Sequence, residues 1–498
     1  MQTVEIPFGE WLPDQPDYKN PGCLTANNTI PAPGGYGPFL GAVAQGDAVA
    51  GVCLGARHMY RSTGAGVVVG GTDDSLFTVI GGTVAETTGL TSIGADDYWS
   101  FAQFNAYVLA AGPGNNIKAL TDIDSDVTWS DLAGSPPQAK VVARVGNFVI
   151  AANLSGLSLP FSFQNSALND PTDWPTPGTS DARQKSSGRG NLQYEYGEIT
   201  GIAGDRYAMI FQQRAVSRID FTGPPQVFSI TPIEEARGCI APQSIVTVGF
   251  TTYFLSHDGF FATDGNQVFP IGSDRVNRWF FANVSETDRF RTQAAINWER
   301  ECVIFSFYPA DNATGFNMQA IYSWTQNRWS TATLSVDWIV DNKVAATTLE
   351  DLDALFPGGI EDVDPPLDSS FWLARSRVIS AFIQDGAGNS ELNLLNGDAL
   401  EAEFETADTE PRPGYRVAVK RIYPVLENAD VSATGALVTR EFKGSTAMTG
   451  PFSAINLAAF VPVNGSGRYV RAKIKIPAAA NWDKAQGVMA TFRVTGSR

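Results

Sequence analysis

Short apolar runs, each closed within a few residues by Gly, Pro, Asn or Asp, occupy almost the whole chain, and a helical period of 3.6 residues is nearly absent. Val67–Val69 and Leu76–Ile80 flank the turn GGTDDS. Ala106–Ala111, Asn147–Ala152, Arg206–Gln212, Thr252–Ser256 and Cys302–Phe307 follow. Residues 347–356 (TTLEDLDALF) are the best helical candidate. Thr347 and Glu350 have capping-box spacing there, and Pro357-Gly358 ends the run. A chain punctuated in this way folds as all-β, and its 48 Gly and 29 Pro supply the turns.

The spacing of the runs narrows the architecture. Val67, Tyr107, Phe148, Tyr207, Tyr253 and Val303 mark successive runs at intervals of 40, 41, 59, 46 and 50 residues. Four-stranded propeller blades repeat at about 40 to 50 residues. Several markers share one local pattern, a Gly- or Asn-led turn followed by a β run, as in ARVGNFVIAANLSG, GIAGDRYAMIFQQ and TVGFTTYFLSHDG. The expectation is a β-propeller of about six blades of antiparallel strands, with an extended N-terminal arm and an additional C-terminal β region. The divisions are set at residues 1–40, 41–340 and 341–498. Pro13, Pro16, Pro21, Pro31, Pro33 and Pro38 make the arm extended, able to reach a neighbouring subunit or to close the ring. The C-terminal part either closes the ring with further blades or forms a β domain of its own.

Composition excludes several function classes. With 35 Lys+Arg against 52 Asp+Glu, the net charge of −17 opposes wrapping nucleic acid or lying on an anionic membrane. No apolar run is long enough to span a bilayer, and Met1–Trp11 has neither the basic nor the apolar part of a secretory signal. Cys23, Cys53, Cys239 and Cys302 form no CxxC and are expected as free thiols of a protein made in a reducing cytoplasm.

Catalytic and metal motifs are scarce. His58 and His257 alone cannot build multi-histidine metal centres. His257 reads as a turn residue, in a stretch that resembles the aspartate box of sialidase propellers but is one residue short. Asp122, Asp124 and Asp126 have calcium-loop spacing, yet Val127 stands where that loop needs Gly and Ala133 where it needs an acid, so an Asx-rich loop is expected. Residues 176–191, with Arg183, Lys185 and Arg189, read as an exposed flexible basic loop. No P-loop, nucleophile elbow or dinucleotide fingerprint occurs. The residues by themselves lead to a large acidic all-β protein in which no catalytic, cofactor or metal site is recognisable.

Particular phrases carry a resemblance. IPFGEWLPDQPDY and CLTANNTIPAPGGYGPF at the N-terminus resemble the opening of podovirus tail nozzle proteins, also called tail-hub or packaged-DNA stabilisation proteins. DLAGSPPQAKVVARVGNFVIAAN (131–153), FSFQNSALNDPTDWPTP (161–177), ITGIAGDRYAMIFQQRAVSRIDFTGPPQVF (199–228) and ARGCIAPQSIVTVGFTTYFLSHDGFFATDGNQVFPIG (236–272) are similar to the same group. So are AIYSWTQNRWS (320–330), LNGDALEAEFETAD (395–408) and GRYVRAKIKIPAAANWDKAQGV (467–488).

The resemblance implies a structural virion protein, synthesised in the host cytoplasm and built into the tail. Copies of the chain would form a ring, expected to be a hexamer, docked on a head-to-tail adaptor. A needle, plug or fibre protein would sit at its far end, and genome DNA would pass through the lumen without sequence-specific binding. In that setting two acidic stretches are candidates for the lumen. One is Glu350, Asp351, Asp353, Glu361, Asp362, Asp364 and Asp368; the other includes Glu401, Glu403 and Glu405. Solubility of the unassembled chain accounts for the same charge. Phe260-Phe261, Phe280-Phe281 and Trp324–Trp329 are candidates for interface anchors or core. The alternative function is a glycan-binding or depolymerising virion propeller, which needs aromatic residues and two carboxylates at one mouth of the channel.

Overall fold

The computed structural model describes residues 2–17, 20–204, 207–224, 226–311, 315–343, 377–427 and 432–496. Its strands form six separate four-stranded sheets and the first four strands of a ten-stranded one, which together make seven blades of a β-propeller. The innermost strands are Ala56–Tyr60, Ser100–Phe104, Val141–Val145, Ile199–Gly204, Val246–Val248, Gln293–Asn297 and Trp338–Lys343. Each lies beside the next, and Trp338–Lys343 also packs against Ala56–Tyr60, so the ring is closed.

Sequence chemistry explains the blade. Phe148–Leu154 and Cys302–Phe307, second strands of their blades, are buried at every position, because each has a neighbouring blade on both faces. Such strands read as continuous apolar runs rather than alternating ones. The turn before the second strand is a two-residue hairpin in the second and third blades and a four-residue one, between Asn297 and Cys302, in the sixth. Val145 pairs with Phe148 across Gly146-Asn147, and Phe104 with Tyr107 across Asn105-Ala106. Gly146 and Asn105 have φ of 54° and 53°, the left-handed geometry such hairpins require. The recurring turn-then-strand phrases are thus the first hairpins of successive blades.

Two of the expected boundaries differ. The blade count is seven, and position 340 falls inside the strand Trp338–Lys343. The seventh blade continues through Arg377–Gln384 and Ser390–Leu394 and is completed by Val43–Val49, which pairs with Ser390–Leu394. The ring is therefore closed by strands far apart in sequence, and no blade-sized interval in the text marks that blade. The helical expectation over 347–356 and the acids from Glu350 to Asp368 lie outside the described residues. Residues 176–191 hold a short helix, Ser180–Gln184, and a strand, Arg189–Asn191, in place of the expected flexible loop. Thr179 Oγ1 accepts the Ala182 N–H, and Lys185 pairs with Asp173 and Asp181 at 2.8 and 3.1 Å.

A β-sandwich is built from both ends of the chain. In one sheet Gln2–Pro7 and Arg416–Glu427 flank Lys484–Gly496, joined by the Thr29–Ala32/Gly35–Pro38 hairpin and Val461–Gly467. The other runs Cys23–Asn27, Ala402–Thr406, Tyr469–Ile476, Thr434–Arg440, and meets the sixth blade where Asn27 aligns with Thr331. Phe8 stacks on Phe404 at 4.5 Å between the sheets. The arm thus supplies strands to both sheets of the sandwich. Asp14 accepts the N–H groups of Arg278 and Trp279 at 2.8 Å each, capping the helix Asn277–Asn283.

Candidate functional site: the propeller channel

The innermost strands enclose a channel of about 590 Å³. Side chain to backbone bonds hold neighbouring inner strands in register. Gln103 brackets Tyr60, its Oε1 accepting the Tyr60 N–H at 3.0 Å and its Nε2 donating to the Tyr60 carbonyl at 2.6 Å. The Trp338 indole donates to the Ala56 carbonyl at 3.1 Å, and Ser100 Oγ sits 3.2 Å from the Val142 nitrogen.

The two ends of the channel differ. Where the inner strands begin, the Tyr98 hydroxyl reaches from the second blade to the Thr200 carbonyl of the fourth, at 3.3 Å. Burial drives the Tyr98 phenol well above its ordinary pKa, so it stays a neutral donor. Where the inner strands end, Tyr60, Trp298, Lys343 and Arg377 surround the opening. The Arg377 guanidinium lies 4.5 Å from the Trp298 ring centre and 5.8 Å from that of Tyr60. Trp298 Nε1 donates to Asp341 at 3.4 Å. Lys343 Nζ donates to the Gly64 carbonyl at 2.7 Å.

His58 lies between the first and seventh blades, edge-on to Tyr60 at 4.5 Å, and its Nε2 has no hydrogen-bond partner among the described residues. Burial, with Arg377 and Lys343 nearby, lowers its pKa to about 4 against the pull of Asp341, so the ring is neutral at pH 7. Gly66 makes room for it, because a Cβ there would stand 2.4 Å from Nε2.

Charge in the channel opposes that of the chain. Among the described lining residues, Arg57, Arg144 and Arg377 are the cations and Asp341 is the one carboxylate. Arg57 donates to the Phe101 carbonyl at 2.9 Å and Arg144 to the Gly146 carbonyl at 3.1 Å. Surrounding protein pulls the Arg57 pKa down, with Asp341 opposing, yet a guanidinium stays charged. One carboxylate does not provide the pair that glycoside hydrolysis uses. The arrangement is suited to holding negative charge.

Residues singled out from sequence sit elsewhere. Glu401, Glu403 and Glu405 belong to the sandwich, at or beside Ala402–Thr406. Glu403 pairs with Lys475 at 3.2 Å and Glu405 with Lys473 at 2.9 Å, partners set directly opposite by the strand register. Lys475 lies 3.6 Å from Glu401. Asp122, Asp124 and Asp126 form an Asx loop. Asp126 accepts from Thr121 Oγ1 and the Asp122 N–H, and Asp124 from the Ser62 N–H, which latches the second blade to the first. No group of three His, Cys, Asp or Glu placed to hold a metal occurs among the described residues. His257 and Asp258 form a two-residue hairpin in which Asp258 takes Arg237 at 2.9 Å.

All four cysteines are free and buried. Burial pushes the thiols of Cys23, Cys239 and Cys302 up to about 12, and that of Cys53 higher still. Phe260, Phe280 and Trp329 are core residues; Phe260 packs against Phe280 at 4.7 Å and Trp329 at 5.0 Å. The channel arginines were not singled out from sequence. They are isolated residues in separate inner strands, and no local spacing links them.

The sheets make this chain a β-propeller protein with an appended β-sandwich. No family profile matches it, and no curated protein does. Among solved structures, YCF48 bound to a D1 peptide is similar at 12% identity over 61% of this chain and 91% of its own, with a TM-score of 0.35. A chain of the mitotic checkpoint complex is similar at 8% identity over 70% of this chain and 93% of its own, at 0.38. Virginiamycin B lyase from Staphylococcus aureus is similar at 11% identity over 59% of this chain and 88% of its own, at 0.34. No helix among the described residues is long and apolar enough to cross a membrane.

Proposed function

We propose that this chain is a structural component of a short bacteriophage tail, a nozzle or hub that docks on the head-to-tail adaptor and helps retain and then release the genome. The observation that carries the reading is where the tail-nozzle-like phrases fall. CLTANNTIPAPGGYGPF, LNGDALEAEFETAD and GRYVRAKIKIPAAANWDKAQGV come from opposite ends of the chain. Their strands Cys23–Asn27, Ala402–Thr406 and Tyr469–Ile476 are adjacent in one sheet. These phrases lie side by side in the fold, and those between residues 131 and 330 fall in the propeller blades.

Size constrains how such a protein serves DNA. One turn of duplex, about 34 Å long with grooves about 8.5 Å deep, fills several thousand Å³. The propeller channel holds about 590 Å³. DNA would pass between copies arranged in a ring, not through a single propeller, and a hexamer is the proposed ring. A needle, plug or fibre protein would close its far end.

Immuno-electron microscopy of intact and heat-opened virus particles, with an antibody to this chain, tests the reading. Label on the tail axis at its distal end is expected. Label confined to peripheral fibres, or none on either preparation, overturns it. Trp298 and Tyr60 beside Asp341 at one end of the channel favour the second reading, a glycan-directed propeller, and release of reducing sugar from host surface polysaccharide would establish that one instead.

A further inference from the structure

We infer that the propeller channel is a binding site for a phosphate dianion, held by Arg57, Arg144 and Arg377. The inference does not depend on the tail reading. Among the described residues that line the channel, three arginines stand against one aspartate, in an otherwise strongly acidic chain. None of Arg57, Arg144 and Arg377 has a carboxylate within 4 Å among the described residues, whereas the sandwich arginines Arg416, Arg440 and Arg471 all do.

Donor chemistry points the same way. A guanidinium carries five N–H donors in a planar fork that matches phosphate oxygens. Arg57 engages one nitrogen with the Phe101 carbonyl and Arg144 one with that of Gly146, so both keep donors for a ligand. Arg377, which lies over the Trp298 ring at 4.5 Å, adds a third guanidinium among these lining residues. A dianion suits such a surplus of positive charge, and inorganic phosphate and a phosphomonoester share that chemistry.

Calorimetric titration of the full chain with inorganic phosphate, with glycerol 3-phosphate and with chloride tests this. Saturable binding of at least one phosphate species is expected, absent for chloride. It should tighten from pH 6 to pH 8 as the second proton, with a pKa of about 6 in an ester, is lost. The double variant Arg57→Gln/Arg144→Gln should bind about tenfold more weakly or worse, while Lys420→Gln on the sandwich binds as wild type. Preference between the two ligands tells whether the free ion or an ester is the occupant. If the double variant does not fold, tungstate located by anomalous scattering in crystals of the wild type decides. Density in the channel supports the site, and density only on other surfaces overturns it. Absence of saturable binding, or unchanged affinity in a folded double variant, overturns it as well.

Discussion

Seven cations of the sandwich and the three arginines of the propeller channel are held in opposite ways. In the sandwich, Arg471 is 6% exposed and held by Asp17 at 2.6 Å and Glu405 at 3.2 Å, with Asp408 against its Nε. Arg440 reaches the same Asp17 and Asp408 at 3.1 and 3.3 Å. Arg416, Arg468, Lys473, Lys475 and Lys484 all have carboxylate partners. In the channel three arginines make do with carbonyls and aromatic faces. Charge in the sandwich completes a fold assembled from the two chain ends, since Asp17 comes from the arm and Arg471 from near the C-terminus. Channel charge is left over, which is what a binding site requires.

Removing chain segments breaks the comparison hardest. Truncation to residue 50 deletes the closing strand of the seventh blade together with the arm strands of the sandwich, and should abolish soluble, cooperatively folded protein. Truncation to residue 40 spares Val43–Val49, so limited proteolysis should show the sandwich cut first and the propeller surviving longer. Equal loss of both would mean that the two units do not differ in stability.

A point change comes next. Arg471→Ala removes a nearly buried guanidinium shared by Asp17, Glu405 and Asp408, which keep Arg440 and Lys473 as partners, and should cost about 2–3 kcal/mol. Arg57→Gln removes an unpaired charge at the loss of one carbonyl bond and should stay within about 1 kcal/mol of wild type. Chemical denaturation of both variants measures the contrast, and similar costs would erase the distinction between paired and surplus cations.

Titration of His58 gives a smaller effect. Its ordinary pKa is 6.5 and falls to about 4 in the fold, where Asp341, Lys343, Arg377 and Tyr60 surround it. The unfolded chain therefore takes the proton first. Stability from this group is complete above pH 6.5 and is lost as pH falls toward 4, by at most about 3 kcal/mol. His58→Gln should flatten that part of the denaturation profile, and an unchanged profile would show that the ring is not held neutral. The smallest effect is expected of Glu403→Gln. It breaks a partly exposed cross-strand pair and should shift stability by no more than about 1 kcal/mol.

Much of the architecture was legible because it is local. A second strand of a blade, such as Phe148–Leu154, is apolar at every position, and the hairpin before it needs φ > 0 at Gly146; both leave marks in adjacent residues. Alternation in Tyr469–Ile476 likewise announced a strand with an apolar inner face and lysines outside. The seventh blade was not legible, because Val43–Val49 meets Ser390–Leu394 across more than three hundred residues. The arm was read correctly as extended, but Gln2–Pro7 carries nothing that specifies Lys484–Gly496 as its partner.

For the channel the limit is sharper. Arg57 and Arg144 are ordinary residues in apolar strands, and only ring closure turns them toward one axis. The acidic residues 401–405 stood out in the text, yet Lys473 and Lys475 lie opposite them and neutralise the face.

Periodicity and turn chemistry, which act over a few residues, determined by themselves that this chain is all-β and propeller-like and where most of its hairpins fall. Blade number, the joining of the two termini in a sandwich and the gathering of unpaired arginines were decided by tertiary structure. Each depends on which distant strands share hydrogen bonds and bury one another's faces, and that pairing is a property of the whole chain's packing, which no short window contains.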